Sequence, residues 1–328
     1  MRAVRRRDFI KVIAGSAAGW PLVAHAQQAK VARVGFLSLG SASSHAARSA
    51  AFRTGLRELG WIEGRNIVIE SRWAEGNYDR LPGMADELVR LKVDVLVTHG
   101  AAGSLAAKRA TSTIPIVVTA AGDLVEFGLA ESLSRPGGNI TGLSLFVAEL
   151  MAKRLELIKE AVPNLVKAAV LLNPDNASTP KILQEIEATA HSLNVGVEPF
   201  EARRSSDIER AFAQMADQRV GAVVVHEDTV LNANGSAIAV YAAVKRLPSG
   251  GFPELVRAGG LIAYGINFPD TDYRAAAFVD KILKGASPRT LPIERSTKFN
   301  IIVNFQTAKA LGLALPSSLL VRADEVIE

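Results

Sequence analysis

The chain has 328 residues, of which 22% are charged and 48% hydrophobic, a composition typical of a globular protein large enough for two domains. Its formal charge is +5, and it contains no cysteine. The absence of cysteine excludes disulfides, thiolate metal sites, cysteine nucleophiles and lipid attachment at a cysteine, and the composition argues against a disordered or coiled-coil chain.

The first 26 residues predict a leader for export by the twin-arginine translocase. Arg6 and Arg7 are followed by one variable residue and then by Phe9-Ile10-Lys11, and a moderately apolar segment leads to a small-x-small cleavage site at 24–26. The alternative, an amphipathic first helix, would be broken at Trp20-Pro21. Five basic residues against one acidic residue place +4 in this leader and leave +1 for the rest, so nucleic acid is not an expected partner. We expect the mature protein to be periplasmic, soluble and not lipid-anchored.

From residue 31 onward, short apolar segments alternate with helical patterns, which predicts an α/β fold with parallel sheets. The first series has predicted strands at 31–39, 67–73, 93–98 and 114–119, and helices at 44–59, 81–91 and 104–110. A dense turn signal at 135–139 precedes a strand at 140–146 and a helix at 148–161, and we place the first crossing between lobes here.

The same cycle then repeats, which predicts a second lobe of similar architecture. Its strands are predicted at 168–172, 196–200 and 220–225, and its helices at 179–193, 207–216 and 236–246; an apolar segment at 261–264, a helix at 273–283 and a strand at 299–303 follow. The order suggests that the chain revisits the first lobe late. We therefore assign 30–142 plus about 266–291 to the first lobe, and 143–265 plus about 292–328 to the second.

Sequence motifs for catalysis or cofactor binding were sought and not found. The sequence has no GxGxxG, no P-loop and no GxSxG, and its five histidines lack metal-ligand spacing. Asp270 and Asp272 lie two apart before a helix, where such residues more often cap than bind metal. We therefore expect no cofactor, no metal ion and no catalysis.

Several segments carry a resemblance to a known family. They are 59–70 (Leu-Gly-Trp-Ile-Glu-Gly-Arg-Asn-Ile-Val-Ile-Glu), 72–76, 91–98, 110–117, 134–142, 258–261, 307–313 and 323–327. Over these segments the chain resembles the ABC-transporter substrate-binding family that includes tryptophan and phenylalanine receptors of the TrpX type. The resemblance implies a type I periplasmic-binding fold: two Rossmann-like lobes joined by a hinge, with a small-molecule ligand between them. It also implies an ABC permease and ATPase as partners, and we expect a monomer.

In an open α/β sheet, ligands bind beyond the carboxyl ends of the strands. The predicted ligand-binding residues are Ser38, Gly40, Ser41, His99, Gly100, Ala101, Thr119 and Asp123 in the first lobe, and Asn173, His226, Asp228 and Tyr264 in the second. Helix amino termini near Ser43 and Ala102 would suit a carboxylate, and Asp123 or Asp228 could hold an ammonium group.

Each candidate also has a purely structural interpretation. Ser43, Ser104 and Asp123 could cap helices, His99 could be a satisfied loop histidine, Tyr264 could belong to the core, and Trp61 and Trp73 favour lobe packing. The chain departs from the family at Ala101-Ala102, where relatives have Thr-Pro, and at 123–126, where Asp-Leu-Val-Glu replaces Asp-Pro-Val-Gly. The ligand of the aromatic amino acid receptors therefore cannot be carried over.

The sequence thus predicts a solute receptor that delivers its ligand to an ABC importer. Two alternatives remain open at this point. One is a periplasmic sensor that presents its ligand to a signalling receptor. The other is an enzyme on the same fold, which would need converging titratable groups such as His99 with Asp123.

Overall fold

Two mostly parallel β-sheets form the centres of two lobes. The computed structural model describes residues 31–145, 147–296 and 298–328, and the predicted leader lies outside these residues. The strands are β1 (Ala32–Ser38), β2 (Ile67–Trp73), β3 (Val95–Thr98), β4 (Ile116–Ala121), β5 (Ile140–Ser144), β6 (Lys167–Leu172), β7 (Gly196–Glu201), β8 (Ala222–Val225), β9 (Ser249–Gly251), β10 (Ile262–Gly265), β11 (Glu294–Arg295), β12 (Asn300–Asn304) and β13 (Glu325–Ile327). The α-helices are α1 (Ala46–Glu58), α2 (Leu81–Arg90), α3 (Gly100–Ala110), α4 (Val147–Ala161), α5 (Thr179–Ser192), α6 (Ser205–Asp217), α7 (Thr229–Ala233), α8 (Gly235–Val244), α9 (Pro253–Arg257), α10 (Phe268–Leu283), α11 (Phe305–Leu311) and α12 (Ser317–Arg322).

The first sheet has the order β11-β5-β4-β3-β1-β2 and is parallel throughout. The second has the order β13-β12-β10-β9-β8-β6-β7, and only its β10–β12 pair is antiparallel. Central strands such as β3 and β8 are buried along their whole length, as their unbroken apolar sequences predict.

Among the described residues the chain passes between the two sheets three times. The passages lie between β5 and α4, between β10 and α10, and between β11 and β12. Helix α10 packs in the first lobe, where Phe278 and Val279 share an apolar cluster with Phe52 and Leu56 of α1. Strand β5 runs to Ser144, and β11 pairs with it, so the first sheet extends a few residues past the predicted limits of 142 and 291.

Strand β9 is the element that the sequence pattern obscured. It consists of Ser249-Gly250-Gly251, yet it pairs with β8 and β10 and is fully buried. A Cβ on Gly250 would lie 2.7 Å from the side chain of Ile158 on α4, so the small residues let this helix approach the sheet closely. Two helices begin four or five residues earlier than predicted: α3 at Gly100 instead of 104, and α10 at Phe268 instead of 273.

No helix in the described part of the chain is long and apolar enough to cross a membrane.

Candidate functional site

The carboxyl ends of the strands in the two lobes meet around a small central cavity of about 40 Å³. The first lobe contributes the ends of β3 and β4, including His99, Ala101 and Gly122. The second contributes the loops after β6 and β8, with Ser178 and Glu227. The cavity therefore lies where an open α/β fold is expected to bind a ligand.

Two larger chambers adjoin this cavity, one on each side. The first, named here the hinge chamber, has about 270 Å³ and combines apolar Phe127, Leu145 and Ile182 with an acidic rim. The second, the histidine chamber, has about 230 Å³ and is lined by residues that include His45, Arg48, His99, Asn232, Glu254 and Phe268. Each chamber shares lining residues with the central cavity, so a ligand in the centre can extend into either one.

Glu227 is the buried acid of the central cavity. Its side chain is 3% exposed, and Oε2 accepts a hydrogen bond of 2.8 Å from Nη2 of Arg154, whose side chain is 1% exposed. The other oxygen, Oε1, is buried without a hydrogen-bond partner. Burial raises the pKa of Glu227, and the nearby guanidinium offsets only part of this effect. The carboxylate thus has one oxygen available for a donor that enters the cavity.

Arg154 holds Glu227 in place from below the cavity floor. From helix α4 it reaches the carboxyl ends of two strands, where it donates to the carbonyl of Tyr264 at 2.8 Å and to that of Val225 at 3.1 Å. These bonds fix the guanidinium relative to β8 and β10, so Arg154 acts on the cavity by positioning the carboxylate of Glu227.

Arg48 lies in the wall of the histidine chamber with its polar atoms already engaged. Its Nε donates to Oδ2 of Asp272 at 2.6 Å, and its terminal nitrogens lie 2.7 and 3.1 Å from the two ring nitrogens of His99. Its guanidinium carbon is 4.5 Å from the ring centre of Phe268, a cation–π contact. Burial lowers the pKa of His99 well below its ordinary value, and the charge of Arg48 lowers it further, so this ring is neutral at pH 7.

His45 is a second neutral histidine in the same wall. It is 4% exposed, and burial together with the charge of Arg48 lowers its pKa to about 3. Its Nδ1 lies 3.1 Å from the hydroxyl of Ser44, which itself donates to the carbonyl of Ser41. In the tautomer that carries the proton on Nδ1, where Ser44 donates to Ser41, the unpartnered Nε2 is a free acceptor.

Helix α3 presents its amino terminus to the central cavity. No side chain caps its first turn, and Gly100, with φ of +72°, occupies a backbone region that favours glycine. Gly100 and Ala101 both line the cavity. Free backbone N–H groups and the positive end of the helix dipole suit a carboxylate at this point.

A hydrogen bond joins the two lobes beside the cleft. Tyr78, which follows β2 in the first lobe, donates to Oδ2 of Asp228 in the second at 2.7 Å. Asp228 is 1% exposed, and it also accepts from Asn176 and caps α7 through the N–H of Val230. Burial and the charge of Asp228 raise the pKa of Tyr78, so its hydroxyl stays protonated and donates. We call this contact the interlobe bond.

Three of the twelve predicted site residues, His99, Gly100 and Ala101, line the central cavity. Asp123 lines the hinge chamber, where its carboxylate accepts from the N–H groups of Val125 and Glu126. Since His99 faces Arg48 instead, the His99–Asp123 pair that an enzyme would use is not formed.

The remaining predicted residues lie around the cavity or away from it. Ser38 is buried at the end of β1, Thr119 is buried within β4, and Asn173 donates to Asp228. Gly40 and Ser41 support His45: a Cβ on Gly40 would lie 2.3 Å from that ring. His226 is fully buried with both ring nitrogens unpartnered, and Tyr264 packs on Phe299 at 5.4 Å between ring centres. Trp61 donates to Asp280, and Trp73 packs against Phe36.

Sequence reasoning missed the residues whose role depends on distant partners. Glu227 stood in the predicted loop but was passed over for its neighbours, and Arg48, Asn232 and Phe268 carried no motif. Arg154 lies at helical spacing between Met151 and Ile158 on the buried face of α4, and a charge at such a position is the one local signal that could have pointed to a charged partner at a strand end. The described residues contain no group of three or more acidic, histidine or cysteine side chains placed to hold a metal ion.

Comparison with known proteins identifies the family to which the chain is similar. A family model described as "ABC transporter substrate binding protein" matches residues 33–327. A curated relative, the tyrosine-binding protein of Clostridioides difficile (strain R20291), is 27% identical over 263 residues, which cover 80% of this chain and 75% of the relative.

Solved structures show the same fold. One is a Streptococcus pneumonia ABC domain in complex with L-Trp, which is 24% identical and has a TM-score of 0.83. The match covers 90% of this chain and 99% of that domain. Another is a ligand-free, open substrate-binding protein from Clostridium difficile, which is 25% identical and has a TM-score of 0.65. This match covers 90% of this chain and 99% of the other. The fold is that of type I periplasmic-binding proteins, as expected from the sequence.

Proposed function

Because the chain belongs to the ABC transporter substrate-binding protein family, we propose that it is a periplasmic receptor that closes its lobes on an amino acid and delivers it to an ABC importer. The observation that carries the proposal is the pairing of complementary groups across the central cavity. The uncapped amino terminus of α3 suits the carboxylate of an amino acid, and the unpartnered Oε1 of Glu227 suits its ammonium group.

Closure would follow from the position of these groups on different lobes. The α3 terminus belongs to the first lobe and Glu227 to the second, so a ligand that contacts both stabilises the closed form over the open one. The interlobe bond between Tyr78 and Asp228 adds to the same equilibrium.

The proposed role is binding without catalysis. The neutral ring of His99 is engaged by Arg48, and Asp123 caps its own turn, so neither is poised to exchange a proton with a ligand. The leader at residues 1–26 supports export to the periplasm, where the receptor would act as a soluble monomer. Loss of amino acid uptake in a strain that lacks the gene, with the permease and ATPase intact, would support delivery to an importer.

A thermal-shift screen tests ligand capture. The panel contains amino acids, amines, small acids and aromatic compounds. At a concentration about 100 times Kd, a ligand stabilises the folded state by about 2.7 kcal/mol, which should raise the melting temperature by about 5 °C. We expect shifts only from compounds with an amino group. A panel in which no compound moves the transition would overturn the proposal.

A further inference from the structure

The unpartnered polar atoms that line the cleft are all hydrogen-bond acceptors. They are Oε1 of Glu227 in the central cavity, and Oδ1 of Asn232 and Nε2 of His45 in the histidine chamber. Nε2 of His45 belongs to this set in the tautomer that carries the proton on Nδ1. Buried acceptors without partners are costly, so the bound ligand is expected to supply donors to each of them.

The charged residues around the cleft also favour a ligand that supplies hydrogen-bond donors, because donor groups often carry a positive charge. Arg48 is paired with Asp272 at 2.6 Å, and Lys181 of the hinge chamber with Glu185 at 2.8 Å. Glu254 is an exposed residue of the histidine chamber, and it interacts electrostatically with Arg257, whose ion-pair partner is Glu325. It lies near enough to Glu227 to contribute to the raised pKa of that carboxyl. After pairing, the histidine chamber retains a negative charge that a cation would neutralise.

We propose that the ligand is an amino acid whose side chain ends in a cationic group with several N–H donors, an amine, amidine or guanidine, and that this end occupies the histidine chamber. The proposal rests on the amino acid receptor proposed above and names its substrate class. The α-ammonium binds Glu227, and the terminal donors bind Asn232 and His45 beside Glu254.

Arg48 is the cationic side chain in the wall of this chamber. Its Nε donates to Asp272, one terminal nitrogen donates to the single acceptor nitrogen of neutral His99, and its face lies on Phe268. The ion pair with Asp272 is neutral overall, so the exposed Glu254 adds a negative charge to the chamber. An apolar side chain such as that of phenylalanine would leave two buried acceptors without donors, which lowers affinity by about tenfold or more for each atom.

Isothermal titration of the full mature chain with four amino acids tests the proposal. The side chain of L-arginine supplies a positive charge and several donors, and that of L-citrulline has nearly the same shape and donors without the charge. The side chain of L-tyrosine supplies a single donor, and that of L-phenylalanine supplies none. We expect arginine to bind at least tenfold more tightly than citrulline or tyrosine, and phenylalanine most weakly. Equal or tighter binding of tyrosine or phenylalanine would overturn the cationic class while leaving the amino acid receptor intact. If no amino acid binds, both proposals fail.

Substitutions in the two chambers test which of them holds the cationic end of the ligand. Glu254→Gln should reduce the preference for arginine over citrulline by about twofold to fivefold, and Asn232→Leu should weaken arginine by about tenfold. Glu126→Gln makes the same charge change at the rim of the hinge chamber and should leave the preference unchanged. If Glu126→Gln lowers the preference and Glu254→Gln does not, the assignment to the histidine chamber is wrong. Melting curves of each variant establish that it is folded.

Discussion

Replacing Tyr78 with phenylalanine should shift the receptor toward its open form. The substitution removes only the hydroxyl, which donates to Asp228 across the cleft at 2.7 Å and accepts from Asn173 at 3.4 Å. The ring of Tyr78 remains, so its packing on the first lobe is preserved. Asp228 keeps its bonds from Asn176 and from the N–H of Val230, so α7 stays capped.

The size of the shift follows from the kind of bond removed. A hydrogen bond to a charged group contributes about 1.5–3 kcal/mol, and the remaining partners of Asp228 place this one at the lower end. A loss of about 1.5 kcal/mol changes the ratio of closed to open molecules by about tenfold. If the free receptor is mostly open, the apparent Kd for ligand rises by the same factor, because fewer molecules reach the closed state.

The absence of native cysteines makes the assay direct. Single cysteines introduced at exposed Asp86 in the first lobe and Glu209 in the second can carry a dye pair for distance measurement by energy transfer. Titration calorimetry on the unlabelled protein gives the change in Kd. We expect the variant to need about ten times more ligand to reach the closed distance.

Tyr273→Phe provides the matched control. It also removes a tyrosine hydroxyl that donates to a carboxylate, Oε2 of Glu58 at 2.6 Å, but both residues belong to the first lobe. This variant should not change the interlobe distance or the affinity. If Tyr78→Phe behaves like Tyr273→Phe, the interlobe bond does not contribute to closure.

Three further predictions concern stability and export. Burial lowers the pKa of His226 to about 4 and that of His45 to about 3, so between pH 6.5 and these values the unfolded chain binds protons that the folded chain does not. Below pH 6.5 the free energy of unfolding should therefore decrease as the pH is lowered, by about 1.4 kcal/mol per pH unit for each ring. In urea titrations, His226→Leu should remove the contribution of one ring from this slope, and an unchanged slope would contradict the assignment. Arg154→Met leaves a carboxyl buried without its partner and should cost about 3–5 kcal/mol in the same assay, whereas a change below 1 kcal/mol would contradict the pairing. Replacement of Arg6 and Arg7 by lysine should retain the protein in the cytoplasm on cell fractionation, and intact export would refute the leader type.

Much of the fold could be predicted because the information is local. The alternation of Ile67 to Trp73 placed β2 at its observed bounds, and the unbroken apolar segment before Thr98 indicated a central strand. The strand Ser249-Gly250-Gly251 could not be predicted, since its glycines are explained only by the close approach of Ile158. The start of α3 was also missed, because glycine and alanine near residue 100 carry no cap signal.

Strand-end reasoning indicates where a candidate site lies but not which residues line it. Strand-end reasoning found the loops around His99 and 226–228, since the carboxyl ends of parallel strands share one edge. It could not select Glu227 over Asp228, because the choice depends on Arg154, 73 residues earlier in the chain. Likewise Arg48 is paired with a residue 224 positions away, a contact that no local pattern encodes.

The affinity of Glu227→Gln for the tightest-binding amino acid of the panel tests the central claim most directly. Glutamine keeps the shape and an acceptor for Arg154 but removes the charge that would hold the ligand ammonium. Loss of one charge-assisted hydrogen bond of about 1.5–3 kcal/mol predicts a Kd about 10 to 100 times higher by titration calorimetry, with the variant folded. A Kd within about twofold of the unsubstituted protein would contradict the assignment of Glu227 and, with it, the binding mode proposed for this receptor.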